Sequence, residues 1–276
     1  MNEVMRELLK QLTQAMEKDT RCLAGWNFGS VSRGLDDQYS DIDPVFLIGE
    51  EYFQTFDAEI KDIVDDVIDD IVIFWPEVFN NEKIKNYAIL FNKDDKIYQC
   101  DLTLINNLYV DDSFNKIWYQ YCMEKDLLFD KINFNEKLSQ KFVPKTSSST
   151  HICYLIEKYF LYSYIMIKYY KRKKVFKSLY IMNELFKVHL EIILGKYSNE
   201  KYGSWATQLH DFVSEEDQET IKLYFCPADI EIVRRNFFLC VNAFYCEITK
   251  SEYDFDDEHI SQIKRYIETK LCCDNV

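Results

Sequence analysis

The chain has 276 residues, of which 47% are hydrophobic and 16% aromatic, enough for a sizeable core and incompatible with a disordered chain. Six Gly and four Pro are too few for a collagen-like chain or a many-turned β sandwich, and 33 basic against 47 acidic residues leave a formal charge of −14. That charge argues against a nucleic-acid partner, because phosphate neutralisation needs an excess of Lys and Arg; it suits a cationic ligand.

Residues 3–18 place Val4, Leu8, Leu9, Leu12 and Met16 at helical spacing and predict an opening amphipathic helix. This start is charged and amphipathic, not a basic segment followed by an apolar one, so it does not read as a signal peptide. Cys22–Phe28 reads as a buried strand ending at Gly29-Ser30, and Ile42–Ile48 as a second strand bounded by an acidic loop and Gly49. Residues 51–66 read as a helix. Asp70–Phe74, Tyr87–Asn92 and Lys96–Ile105 read as further strands, with a hairpin turn at Asn92-Lys93-Asp94-Asp95. Strands and helices thus mix over the first ~140 residues, one unit of about average domain size.

The texture changes near Phe142–Thr150, a polar break in which Ser149 or Thr150 is placed to cap the next helix. Helical periodicity then runs through about 151–171, 175–195, 205–211, 215–224, 229–250 and 257–271. Gly195 fits a helix C-terminus, and Pro227 fits the turn before the helix starting near Asp229. The spacing predicts domains 1–145 and 146–276, the second one helical, and an α+β fold class. No uncharged apolar run reaches the ~18 residues of a membrane span, so no membrane partner is expected. Nine Cys without a Cys-x-x-Cys pair read as buried reduced thiols, and the expected compartment is the cytoplasm. His151, His189, His210 and His259 are scattered, none at metal-ligand spacing, and read as surface or core residues.

Charge is unevenly distributed. Between Asp36 and Asp70 there are thirteen acidic residues and one basic residue, Lys61; between Lys158 and Lys177 there are seven basic residues and no acidic one. Two solvated faces of opposite sign account for most such runs. The sharper reading sets basic side chains against bound phosphate across an acidic metal site.

The segment Gly25 to Asp43 carries the chemistry and holds half of the glycines, Gly25, Gly29 and Gly34. A strand ending in Gly29-Ser30 can aim backbone N–H groups and a hydroxyl at phosphate oxygens, with Gly29 allowing close approach. Asp41 and Asp43 are two apart, so on a strand both carboxylates project from one face. They would repel without a cation between them, and an oxygen-only ligand set suits Mg²⁺. In Lys96–Ile105, alternation puts Ile97, Gln99, Asp101, Thr103 and Ile105 on one face, with Asp101 flanked by Cys100 and Leu102 on the other. A charge there needs a partner, either a metal or a Lys or Arg. Three carboxylates beside a phosphate-cradling turn are the parts of metal-assisted nucleotidyl transfer.

Gly29-Ser30, ten intervening residues, Asp41-x-Asp43 and the later strand carboxylate Asp101 resemble the DNA polymerase β-type nucleotidyltransferase superfamily. Within it the chain is most similar to the streptomycin (aminoglycoside) 6-adenylyltransferases. Three stretches carry that likeness: Tyr87–Phe91 leading into Cys100–Ile105, the Tyr-rich helix from Glu157, and Val213–Glu216 followed by Phe237–Cys240. Gln38–Ile42 also resembles the lincosamide nucleotidyltransferases, and Pro44 directly after the carboxylate pair departs from the pattern. The resemblance implies an N-terminal mixed-sheet nucleotidyltransferase domain and a C-terminal helical bundle. It implies transfer of AMP from ATP to a hydroxyl of an aminoglycoside, with Mg²⁺ as cofactor and pyrophosphate as product.

Carried over by position, the resemblance makes Asp41 and Asp43 metal ligands and Asp101 a third ligand or the general base. Gly29 and Ser30 would hold the β and γ phosphates, Arg33 and Lys168 would contact the triphosphate, and Glu157 would meet a cationic acceptor. Lys168 reads equally well as a solvated helix lysine. The implied partners are small molecules, a nucleoside triphosphate and a cationic antibiotic, bound by a monomer or homodimer. A lincosamide acceptor is the nearest alternative, and a non-catalytic nucleotide-binding or antitoxin-like module on the same fold is the alternative from another class.

Overall fold

The computed structural model describes residues 1–119, 122–138, 149–197, 204–250, 253, 255 and 257–272. The chain divides into two compact units, Met1–Phe142 and Val143–Val276. The boundary expected near 145 lies outside the described residues.

In the first unit, Asn2 caps α1 (Glu3–Lys18), its side-chain oxygen accepting from the Met5 amide at 3.0 Å. Glu3 in the first turn and Lys18 in the last complement the helix dipole. Leu8, Leu9, Leu12 and Met16 are buried as the spacing predicts, but Met5 takes the inward position of the first turn and leaves Val4 half-buried. There follow β1 (Cys22–Asn27), α2 (Gly29–Arg33), β2 (Pro44–Ile48), α3 (Phe53–Asp65), β3 (Ile71–Pro76), β4 (Ile84–Lys93) and β5 (Lys96–Asn106). Then come α4 (Ser113–Lys116), β6 (Leu127–Asp130) and α5 (Asn135–Leu138). The sequence pattern gives no sign of β6, which is four residues long with only Phe129 buried.

The six strands form one mixed sheet in the order β3-β4-β5-β2-β1-β6. Only β2 and β5 run parallel; every other neighbouring pair is antiparallel. Lys93 pairs with Lys96, leaving Asp94 and Asp95 as a two-residue turn with φ of 52° and 57°, the conformation whose twist suits a hairpin. One face of the sheet buries Phe46, Ile89, Cys100 and Leu102 against Leu12 and Met16 of α1 and Phe53 and Phe56 of α3. The opposite face packs Trp26, Val45, Leu47 and Ile105 with Tyr119 and Phe134. Trp26 anchors that layer: its ring stacks on Phe134 at 4.8 Å and its Nε1–H donates to the Trp118 carbonyl at 2.8 Å.

The second unit is helical throughout its described residues: α6 (Ser149–Lys171), α7 (Val175–Tyr197), α8 (Trp205–Phe212), α9 (Glu215–Lys222), α10 (Ile230–Lys250) and α11 (Asp257–Cys272). Together with the mixed sheet this makes the protein α+β. Two expected helix ends move. Thr150 lies inside α6 and does not cap it, and α7 runs past Gly195, whose backbone stays out of the left-handed region. At Pro227 the turn forms as expected: the Asp229 carboxylate accepts from the amides of Glu231 and Ile232 at 2.9 and 3.0 Å and starts α10. Lys171 at the end of α6 and Arg172 to Lys174 between α6 and α7 are exposed.

The helical core holds one polar chain. The Tyr224 hydroxyl lies 2.8 Å from the Tyr159 hydroxyl and 2.7 Å from His189 Nδ1, and the Tyr159 ring stacks on Phe244 at 3.6 Å. Burial pushes His189 down to about 3, so its imidazole is neutral at physiological pH. Cys22, Cys100, Cys122 and Cys240 are buried free thiols, and no described helix is long and apolar enough to cross a membrane. Replacing Tyr224→Phe leaves two buried polar groups without their shared partner. It is expected to cost about 1–3 kcal/mol, read as a lowered urea midpoint, whereas an unchanged midpoint would mean the network contributes nothing.

Candidate functional site

β1 ends at Asn27, and the chain turns at Gly29 with φ +66° into the single helical turn of α2. Gly34, at φ +68°, closes it with its N–H directed at the Ser30 and Val31 carbonyls. The turn is tied to the carboxylate segment by the Phe28 amide, which donates to the Asp43 carbonyl at 3.0 Å. Gly29 is there for space as well as conformation. A Cβ at this position would lie 1.9 Å from Asp43 Oδ2, so the carboxylate rests directly on the glycine.

Asp41 and Asp43 flank Ile42, which is fully buried among the residues facing α1 and α3. β2 proper begins only at Pro44. The segment before it is nonetheless extended, because Ile42 forms an isolated parallel bridge with Cys100 and accepts the Asp101 amide at 2.9 Å. With Ile42, Cys100 and Leu102 turned into the core, the intervening Asp41, Asp43 and Asp101 emerge together on the other side. One oxygen from each carboxylate lies within 4.8 Å of the others, the one such group among the described residues that could hold a metal ion.

The electrostatics follow from that crowding. Burial, then the charges of Asp41 and Asp101, push Asp43 up to about 7, while Arg33 pulls it down. Asp41 is raised by burial. Asp101 is raised by burial and by Asp41 and Glu77, against the Gln99 amide, whose Nε2 donates to both of its carboxylate oxygens at 3.1 Å. Arg33 turns its Nε–H back onto the Gly29 carbonyl at 2.9 Å. Three converging carboxylates with this little opposing charge are a hard, oxygen-only ligand set, which fits a divalent cation. The neighbouring turn adds an observation of its own: the Ser30 hydroxyl oxygen is buried without a hydrogen-bond partner.

Five of the residues singled out from the sequence, Gly29, Arg33, Asp41, Asp43 and Asp101, therefore interact in the first unit, with Ser30 in the same turn. Glu157 and Lys168 lie on α6 of the second unit, both exposed. Glu157 lines a largely apolar cavity of about 1040 Å³ with Phe160, Tyr164, His259 and Tyr266, and the Lys168 ammonium sits 4.5 Å from the Tyr164 ring centroid. Sequence reasoning gave no role to Gln99 or Glu77. For Gln99 the signal was present: it stands two residues before Asp101 on the same strand face.

No protein-family model matches the sequence, and no curated protein is similar to it. Among solved structures, one from H. pylori, described provisionally as a nucleotidyltransferase, is 10% identical with a TM-score of 0.31, covering 92% of this chain and 100% of that one. A nucleotidyltransferase-like protein from Exiguobacterium sibiricum is 9% identical with a TM-score of 0.31, covering 95% of this chain and 89% of that one. At this level of similarity neither bears on the reading below, which rests on the carboxylates.

The triad makes stability depend on pH in a direction set by its raised carboxyls. A carboxyl that holds its proton more tightly when folded stabilises the native state at low pH and loses that contribution as pH rises. The window runs from the usual carboxylate value near 4 to about 7 at Asp43. The Tm of chelator-treated protein is expected to fall across this window and to recover on adding Mg²⁺ or Mn²⁺ at its upper end. A flat profile with no metal response would show that the carboxylates do not converge. Gly29→Ala should abolish the metal response by displacing Asp43.

Proposed function

We propose that the protein is a Mg²⁺-dependent nucleotidyltransferase that moves AMP from ATP to a hydroxyl of an aminoglycoside of the streptomycin kind. The observation that carries the reading is the convergence of Asp41, Asp43 and Asp101 beside the Gly29 turn. Asp41 and Asp43 hold the ion, with Asp101 as third ligand. Bound there, Mg²⁺ would neutralise phosphate charge and align the attacking and leaving oxygens. Asp101 takes the proton of the acceptor hydroxyl, whose oxygen forms the new bond to the α-phosphorus as the bond to pyrophosphate breaks. Ser30, whose buried hydroxyl has no protein partner, donates to the triphosphate together with the Gly29–Ser30 backbone. Arg33 adds positive charge to the same turn.

The acceptor assignment is supported by the sequence resemblance and by the net charge of −14, which draws a polycation more strongly than a weakly charged drug. Glu157 and Lys168 are the second unit's candidates for the acceptor and the triphosphate. The Gln38–Ile42 segment keeps a lincosamide as the alternative acceptor. ATP as donor and the free thiols suit a cytoplasmic enzyme.

The test is pyrophosphate release with ATP and Mg²⁺ across streptomycin, other aminoglycosides and lincomycin. Asp43→Asn is expected to lower the rate by roughly 10²-fold or more, the scale of losing one preorganised electrostatic contact to the reacting groups. Release with lincomycin alone keeps the reaction and replaces the acceptor. Nucleotide binding by calorimetry without release for any acceptor would overturn the enzymatic reading in favour of a binding module.

A further inference from the structure

The hairpin of α6 and α7 ends in a basic turn that the carboxylate site does not use. Three residues, Arg172 to Lys174, join the two helices, and the join is tight. The Lys173 amide donates to the Tyr170 carbonyl at 2.7 Å and the Lys174 amide to the Tyr169 carbonyl at 3.0 Å. Lys173 sits at φ +52°, a left-handed conformation that glycine adopts more easily. Lys171, Arg172, Lys173, Lys174 and Lys177 are all exposed, five basic residues within seven positions. The Lys171 and Lys177 ammonium groups lie 5.8 and 5.3 Å from the Tyr170 and Tyr169 ring centroids. No acidic residue stands between Lys158 and Asn183, and the next one, Glu184, pairs with Lys187 at 2.7 Å.

The same tip is apolar as well as cationic. Phe176 is 77% exposed and Tyr180 62%. Being four apart they share one face of α7, and it is not the face that buries Ser178, Ile181, Met182 and Leu185. An exposed phenyl ring beside five cationic side chains matches a surface that is anionic outside and apolar beneath, and Tyr180 adds an apolar body with a polar end.

We propose that the α6–α7 turn is a peripheral docking tip for an anionic lipid surface. The five basic side chains meet headgroup phosphates, and Phe176 enters the boundary of the acyl chains. The sequence expectation of no membrane partner rested on the lack of a spanning segment, and a polybasic tip needs none. The net charge of −14 opposes approach, but at physiological salt that repulsion is screened beyond about 8 Å, whereas the tip's own charges act at contact. A nucleic-acid duplex would satisfy the basic side chains and leave Phe176 in water; a lipid surface satisfies both. The cytoplasmic leaflet, which a cytoplasmic enzyme meets, is the one that carries anionic lipid.

The full chain is expected to sediment with vesicles of phosphatidylcholine containing about one-third phosphatidylglycerol, and not with phosphatidylcholine alone. Raising NaCl toward ~1 M, where the screening length is about 3 Å, should release it. Lys173→Gly removes one charge and eases the backbone, so partitioning should weaken roughly five-fold without loss of Tm. Arg172→Gln with Lys174→Gln should weaken it about twenty-five-fold. Phe176→Trp puts a reporter at the tip, and its emission should move to the blue with the anionic vesicles only. Equal partitioning onto neutral lipid, no partitioning, or partitioning indifferent to Lys173→Gly overturns the proposal. So does tighter binding to oligo-dT than to the vesicles, which would make the tip a single-strand site. Displacement by Mg²⁺-ATP beyond that by NaCl of equal ionic strength would assign the cluster to the nucleotide and also overturn it. None of the substituted residues belongs to the carboxylate site, so the transfer reading stands or falls separately.

Discussion

The site depends on a single backbone register, the parallel bridge between Ile42 and Cys100 with its hydrogen bond from the Asp101 amide to the Ile42 carbonyl. Two carboxylates with oxygens within 4.8 Å repel by more than about 3 kcal/mol when both are ionised, taking an effective dielectric of about 20. One backbone hydrogen bond, with a net contribution of about 1 kcal/mol, cannot oppose that alone. What does oppose it is the burial of Ile42, Cys100 and Leu102 under α1 and α3, since a slip of one residue would turn those side chains outward and the carboxylates inward. The hydrophobic core thus fixes the position of the charges. Asp43 responds by holding its proton up to about 7.

The glycine turn is subordinate to that register and locked to it. Phe28 is joined to the Asp43 carbonyl, and the Asp43 carboxylate fills the space that a side chain on residue 29 would need. β1 is in turn held in place by Trp26, stacked on Phe134 and bonded to the Trp118 carbonyl. Placement of Ser30 and the carboxylates therefore comes from packing on both sheet faces, Trp26 with Phe134 on one and Ile42, Cys100 and Leu102 beneath α1 and α3 on the other. Gly25 belongs to the same arrangement, because a Cβ there would come within 2.8 Å of the Phe46 and Phe129 rings.

Much of this was legible in the sequence, and the failures have physical causes. Periodicity located α1, α3 and the six long or short helices of the second unit because their apolar residues recur at helical spacing over two or more turns. Alternation located β5 and put Asp101 on the correct face, since Cys100, Leu102 and Leu104 face the core opposite it. β6 was not legible, being four residues whose pairing with β1 is set by tertiary contact. At Gly195 local propensity pointed to a helix end, but the buried residues just before it, Ile192, Ile193 and Leu194, carry α7 onward. The spacing of Asp41, Asp43 and Asp101 suggested convergence, yet the bridge at Ile42 that brings them together is a contact between residues 58 positions apart, counting from 42 to 100. Gln99 was readable from its place beside Asp101 on one strand face although no role was assigned to it, whereas Glu77 acts on Asp101 through charge from a distant part of the sequence.

Under the proposed reading, the same crowding links the metal and the nucleotide. A triphosphate is strongly anionic, and three carboxylates with Arg33 nearby would repel it. An ion on the carboxylates lowers that repulsion, and by reciprocity the bound phosphates raise the affinity for the ion. Neither ligand then needs to bind tightly alone, because the fold has placed the negative charge that makes each dependent on the other. Protons compete in the same balance: Asp43 must release one before it can ligate, so metal affinity rises with pH up to about 7, the value that burial and its two neighbours impose. The pH response of the apo fold and the metal requirement of the site thus have one origin, the register that brings three aspartates together.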